Sequence, residues 1–207
     1  MTTTLTTNKF LAKTYSLLST SLLVFAVSIL VGLQFVPIFT NPIIFFSIFT
    51  IELGLIFAIH KWKTVPLLMA FAICTGLTTI PLMADVLGTT SGLYAIAQAL
   101  IGTAIITGGT SMYALTTKKD FSAFGPFLFW TLVAIIAVAI LNIFIGSSIL
   151  STILSIVALI VFSGFMIYDT QNIVKGLYET PVEAALSLYL NVINIFIHLL
   201  SLLKSDD

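Results

Sequence analysis

The strongest constraint on this chain is where its charges are missing. Eight lysines and eight carboxylates are all the charged side chains in 207 residues. Between them lie seven apolar stretches, each close to the roughly 20 residues a helix needs to cross the hydrocarbon core of a bilayer. They run over 15–36, 42–59, 66–83, 92–115, 126–145, 149–174 and 181–203, and only Glu52, Asp169 and Glu183 carry charge inside them. The predicted fold class is all-α, a polytopic membrane protein of seven transmembrane helices. A tail of 1–14 precedes the helical domain of 15–203, and a short tail of 204–207 comes after it.

Composition narrows the function classes. With 59% hydrophobic and 8% charged residues and a mean hydropathy of +1.18, the chain lies outside the range of soluble domains. Zero formal net charge leaves no basic surface for a nucleic acid backbone. Cys74 is the single cysteine, so neither a disulfide framework nor a cysteine zinc site forms within one chain. There is no P-loop, no Gly-rich dinucleotide fingerprint, no His-Glu-x-x-His and no nucleophile with its base, so the chain is not expected to be an enzyme or to hold a cofactor.

The span boundaries carry their own signals. Asn41-Pro42 sets a capping side chain before a proline that needs no helical donor, and Gly125-Pro126 is expected to open the fifth span similarly. Thr180-Pro181-Val182-Glu183 matches a capping box. Gly146-Ser147-Ser148 leaves room only for a tight hairpin, making spans five and six antiparallel neighbours. Gly102, Gly108, Gly109 and Ser111 in span four predict close packing, with a local break at Gly108-Gly109. The first span exceeds a signal-peptide h-region and no small-residue cleavage site comes after it, so it is read as a retained helix. With the N-terminus inside, Lys9, Lys13, Lys61, Lys63, Lys118, Lys119 and Lys175 face the cytoplasm and Lys204 lies outside, which is the orientation the positive-inside rule selects.

An ionised carboxylate at the bilayer centre costs about 2.5 to 3.5 kcal/mol on insertion scales, so such groups face a protein interior or a wet cavity. Glu52 lies eight residues before His60, roughly 12 Å from that helix end, among Ile48, Phe49, Leu55 and Ile56. Asp169 shares a helix face with Phe165, Phe162, Ala158, Ser155 and Ser151, and the small members of that stripe allow another helix to come near. Span seven carries Ser187, Asn191, Asn194, His198 and Ser201 at steps of four, three, four and three along one face. Two readings of these polar groups stand. One is hydrogen bonding between helices. The other is a polar pathway in which Asp169, Glu52, Asn191 and Asn194 receive a hard cation, with carbonyls or water completing the six to eight oxygens that calcium takes. His60 reads as a solvated flank and His198 as a hydrogen-bond donor.

The segments 116–121 (TTKKDF), 168–171 (YDTQ) and 185–196 (ALSLYLNVINIF) together resemble the Bax inhibitor-1 family, over nearly the whole chain. Residues 8–15 (NKFLAKTY) and the length look like its bacterial YccA-type branch, which implies the bacterial inner membrane. The resemblance implies a last helix central in the bundle. It also implies a pH-sensitive calcium leak, controlled in some members by two aspartates on the last two helices. The first corresponds to Asp169, and the second falls at Asn191, so a proton-sharing pair is absent while a hydrogen bond between the two remains available. Glu52 matches an acid on the second helix, and Lys61 or Lys63 stands where relatives carry a basic group that latches the aspartate.

Two functions emerge as expectations. One is a passive calcium leak in which Asp169 and Glu52 supply negative charge, Asn191, Asn194, Lys61 and Lys63 join the pathway or its gate, and protonation or a lysine latch at Asp169 closes it. The other is a protein that transports nothing and regulates a membrane-anchored ATP-dependent AAA protease, its polar N-terminal tail offering the grip. The expected partners are the lipid bilayer, the calcium ion and, in the second reading, that protease.

Overall fold

A computed structural model describes residues 2–204, with side chains described from Asn8 onward; Met1 of the expected N-terminal tail and residues 205–207 of the expected C-terminal tail lie outside the described residues. The elements are α1 (Thr2–Gly32), a 3-10 turn (Leu33–Phe35), α2 (Val36–Phe39), α3 (Pro42–Trp62), α4 (Val65–Thr78), α5 (Ile80–Leu87), α6 (Gly92–Thr116), α7 (Phe124–Ile145), α8 (Ser148–Val174) and α9 (Pro181–Leu203). Seven helical runs are long and apolar enough to cross a membrane: Asn8–Phe39, Pro42–Trp62, Val65–Leu87, Gly92–Thr116, Phe124–Ile145, Ser148–Val174 and Pro181–Leu203. Their outer faces are apolar, with Ile43, Phe57 and Phe144 more than three-quarters exposed, a surface suited to lipid. The protein is a multi-pass membrane protein.

Local chemistry sets the ends. Asn41 caps α3 by accepting from the Ile43 amide at 2.9 Å, ahead of Pro42. At the other end Lys63 turns left-handed at φ 52° and donates its amide to the Ile59 carbonyl at 2.7 Å. Gly146, at φ 68°, closes α7, and the Ser147 hydroxyl accepts from the Leu150 amide to open α8. The expected hairpin is therefore present. The capping box at α9 is also present: the Thr180 amide donates to Glu183 Oε2 at 3.2 Å and the Glu183 amide donates to Thr180 Oγ1 at 3.4 Å.

Four expectations are corrected. α1 already runs from Thr2, so the polar segment before the first apolar stretch is helical and continuous with it. The third span is two helices rather than one, because Pro81 cannot donate within the ladder and the chain breaks at Thr79. α6 is unbroken through Gly108 and Gly109, whose Cα atoms face open space, while Thr107 and Thr110 bond back to its own carbonyls. The fifth span also opens earlier than expected, at Phe124, which leaves Pro126 in the first turn where its missing donor is harmless.

The chain divides into two compact units, one comprising residues up to Gly88 with Tyr178–Tyr189 and the other Thr89–Leu177 with the residues from Leu190 onward. In the first, α4 packs on α1 and on α3. Gly76 makes the α1 contact possible: a Cβ there would lie 2.6 Å from the Ser28 Cβ and 2.9 Å from the Phe25 carbonyl oxygen. Fully buried Tyr189 meets Phe25 and Phe71 edge-on, at centroid distances of 6.3 and 5.9 Å, and its hydroxyl bonds Thr75. In the second unit, α8 packs on α6 and α7, and Leu128, Ile135, Ala158, Val161, Phe162 and Ile195 form the core. α9 is the most buried of the seven runs.

Candidate functional site

The two intramembrane acids are held by different chemistry. In the first unit, Glu52 projects from α3 and is 7% exposed, and it accepts a hydrogen bond from the Thr78 hydroxyl at 2.6 Å. Thr78 ends α4, so the partner comes from the neighbouring helix rather than from the acid's own. A buried carboxyl without such a donor would carry its whole desolvation cost.

In the second unit, Asp169 is 8% exposed and opens a run of four buried polar residues, Asp169, Thr170, Gln171 and Asn172, near the end of α8. Asn191 of α9 donates its side-chain amide to Asp169 Oδ2 at 2.7 Å. The stripe of Ser155, Ala158 and Phe162 on the same face of α8 is buried, as its small members require. Asn194 behaves differently from Asn191: its amide returns to the Leu190 carbonyl of its own helix at 2.8 Å. Further along the stripe, His198 Nδ1 lies 3.4 Å from Ser155 Oγ and the ring stacks on Phe162 at 6.2 Å. Ser201 is exposed.

Gln171, which no catalytic or metal-ligand motif in the sequence marks as functional, fastens the loop between α6 and α7. It accepts from the Phe121 amide at 3.0 Å and donates to the Lys119 carbonyl at 2.8 Å. Lys175 adds bonds to Asp120 and, at 2.7 Å, to Ser122 Oγ, and this ammonium with the Ser122 donors holds the Asp120 carboxyl well below the usual range. The segment after Asp169 is thus tied to the loop carrying Lys118 and Lys119.

The lysines expected near the pathway have defined partners in the first unit. Lys63 pairs with Glu179 and lies 3.3 Å from Glu183 Oε1. Those carboxylates raise its pKa above the ordinary lysine value, and Lys63 in turn lowers that of Glu179. Lys61 stands over the Trp62 ring at 5.3 Å. The structure therefore brings together Asp169 with Asn191, Glu52 with Thr78, and Lys63 with the start of α9. No cluster of three or more His, Cys, Asp or Glu side chains suited to a metal occurs among the described residues. A cation at either acid would depend on carbonyls, hydroxyls or water for most of its oxygens.

The chain is similar to known proteins over nearly its whole length. An uncharacterised protein of Campylobacter jejuni is 42% identical over 204 residues, covering 95% of this chain and 88% of the relative. An uncharacterised membrane protein of Vibrio cholerae is 36% identical, covering 97% and 91% of the two chains. Protein lifeguard 4 of Mus musculus is 34% identical, covering 95% and 84%. The family described as Inhibitor of apoptosis-promoting Bax1 matches residues 7–207, and the chain belongs to this Bax inhibitor-1 family.

Proposed function

We propose that the protein is a passive cation leak with calcium as the permeating ion, gated by the protonation state of Asp169. It resides in the bacterial inner membrane with its N-terminus in the cytoplasm and its C-terminus outside. The observation that carries this reading is the Asp169–Asn191 pair, a carboxyl buried in an apolar helix and met at 2.7 Å by an amide of the last helix. Intramembrane acids are costly, face a protein interior or a water-filled cavity, and are a mark of ion pathways and proton relays. Glu52 supplies a second negative site, while Asn191 and Asn194 contribute amide groups along the last helix. Lys61 and Lys63 act at the cytoplasmic end of the second span, where the Lys63 pairing with Glu179 and Glu183 fixes the approach to α9.

Calcium flux into liposomes, measured over a pH series, tests this. The protein should pass calcium at neutral pH and lose flux on acidification. Asp169→Asn, which keeps the shape and the facing amide, should show reduced flux without the pH step. Equal flux from both proteins at every pH removes Asp169 from the mechanism.

A second reading draws on α1, whose Asn8, Lys9, Ala12 and Lys13 are exposed at the start of the first span. Such a segment offers a grip to a membrane-anchored AAA protease, with the protein as its regulator and no transport at all. Removing the first eleven residues separates the two: loss of an effect on proteolysis with flux intact assigns both roles, and absence of flux from the full-length chain leaves the regulator.

A further inference from the structure

The second unit holds a cleft of mixed polar and apolar lining that neither acid touches. It has a volume of about 500 Å³ and is lined by Asn142, Ser147, Ser148, Ser151, Ser155 and His198, with aliphatic walls from Ile143 and Leu154. These residues come from the end of α7, the hairpin, the start of α8 and the far part of α9. From Ser147 to Ser155 the cleft runs along α8 for roughly 12 Å.

Its hydrogen-bonding capacity can be counted. Asn142 uses both its donors and one of its two lone pairs, donating to the Ser147 carbonyl at 3.1 Å and the Ser151 hydroxyl at 2.8 Å and accepting from the Ser147 amide at 3.1 Å. It therefore chiefly shapes the wall, with a single acceptor position left over. The Ser147 hydroxyl accepts from the Leu150 amide at 3.3 Å and still has its own proton to give. Ser151 donates to the Ser147 carbonyl at 3.1 Å while accepting from Asn142, which leaves one lone pair. Ser148 is exposed at the rim with its hydroxyl available, and the ring nitrogen of His198 turned away from Ser155 is likewise available.

Such a lining mixes neutral donors and acceptors and contains no carboxylate or lysine. An ionic group entering it would lose hydration without meeting a counter-charge, whereas alcohol hydroxyls, each both donor and acceptor, find partners for either role. Next to the rim, Ile143, Phe144 and Ile149 are 77%, 84% and 73% exposed, an apolar surface along which an acyl chain would lie. We propose that this cleft binds the uncharged, hydroxyl-bearing headgroup of an acylglycerol-type lipid, its chains running over Ile143 and Ile149. The same hydroxyl chemistry is offered by a free polyol, and the experiment separates the two sources.

The full-length protein is placed in phosphatidylcholine nanodiscs with a diazirine-bearing diacylglycerol. After irradiation, labelled peptides are mapped by mass spectrometry. Labelling should concentrate on residues 142–155 and on the peptide containing His198, and unlabelled dioleoylglycerol should compete it away. Ser148→Ala removes a hydroxyl that bonds nothing in the fold, so it leaves folding intact; together with His198→Phe it should lower the specific labelling about tenfold, the equivalent of roughly 1.4 kcal/mol. Labelling spread evenly over the lipid-facing helices, or unchanged by Ser148→Ala and by the double substitution, overturns the proposal. Competition by dioleoylphosphatidylglycerol equal to that by dioleoylglycerol also overturns it, and displacement by free glycerol alone overturns the lipid assignment in favour of a soluble polyol.

Discussion

Glu52 and Asp169 are both acids buried in apolar helices, yet the first is met by a hydroxyl and the second by an amide. A hydroxyl can reverse its bond, donating to a carboxylate and accepting from a carboxylic acid, whereas an amide NH₂ only donates. The setting of Glu52 therefore tolerates a proton arriving or leaving with one rotation of the Thr78 side chain. At Asp169 the Asn191 amide holds one carboxyl oxygen, and a proton arriving on the other leaves that bond in place but removes the charge that strengthens it. The surroundings differ in the same sense. Glu52 stands on the least buried of the seven runs, while Asp169 lies in a buried polar run fastened through Gln171 to the loop beyond α6. The hydroxyl at Glu52 serves both protonation states by turning, whereas the amide at Asp169 bonds most strongly to the ionised carboxyl.

The largest test of this contrast is Asn191→Leu, which leaves the Asp169 carboxyl buried without its amide. It should cost about 2 to 3 kcal/mol in denaturant unfolding of the detergent-solubilised protein. Thr78→Val is isosteric and removes one hydroxyl, and should cost about 1 to 2 kcal/mol in the same assay. If Thr78→Val proves the more damaging, the ranking of the two sites is reversed. Gln171→Ala should cost about 1 kcal/mol and speed hydrogen exchange at the Phe121 amide, leaving amides of α3 and α4 unchanged.

The smallest effect belongs to Lys63→Met, and its pH dependence has a defined sign. Glu179 is depressed below its ordinary value of 4.5, so its contribution is present above that value and lost as pH falls through the lowered one. Lys63 is raised above its ordinary 10.5, so its contribution is present below that value and lost as pH rises through the raised one. Melting curves of the protein and of Lys63→Met should differ slightly between these limits and converge beyond them. The exposure of Glu179 to solvent keeps the difference small.

The spans were legible because crossing a bilayer is a transfer problem that each stretch solves by itself. The caps at Asn41 and Thr180 and the hairpin at Gly146 were legible for a similar reason, since capping partners lie within a few residues in sequence. Partners across helices were not. Thr78 is one of many threonines that bond back to their own helix, and only the packing of α4 on α3 turns it toward Glu52. Gln171 could have been suspected, as an amide within a polar run closing an apolar helix, but its targets are backbone groups 50 and 52 residues away. The break expected at Gly108-Gly109 failed because glycine on an outer helix face permits bending without imposing it. Pro81, by contrast, removes a donor outright.

Lys63 is the non-glycine residue with positive φ among those described, and it sits where a helix end most readily accepts glycine. Glycine would ease the turn and release the junction, whereas lysine accepts a contorted backbone so that its side chain can tether the segment leading into the last helix. Among related sequences, an exchange between the two at this position would change the protein's temperament more than its shape, trading a restrained joint for a loose one.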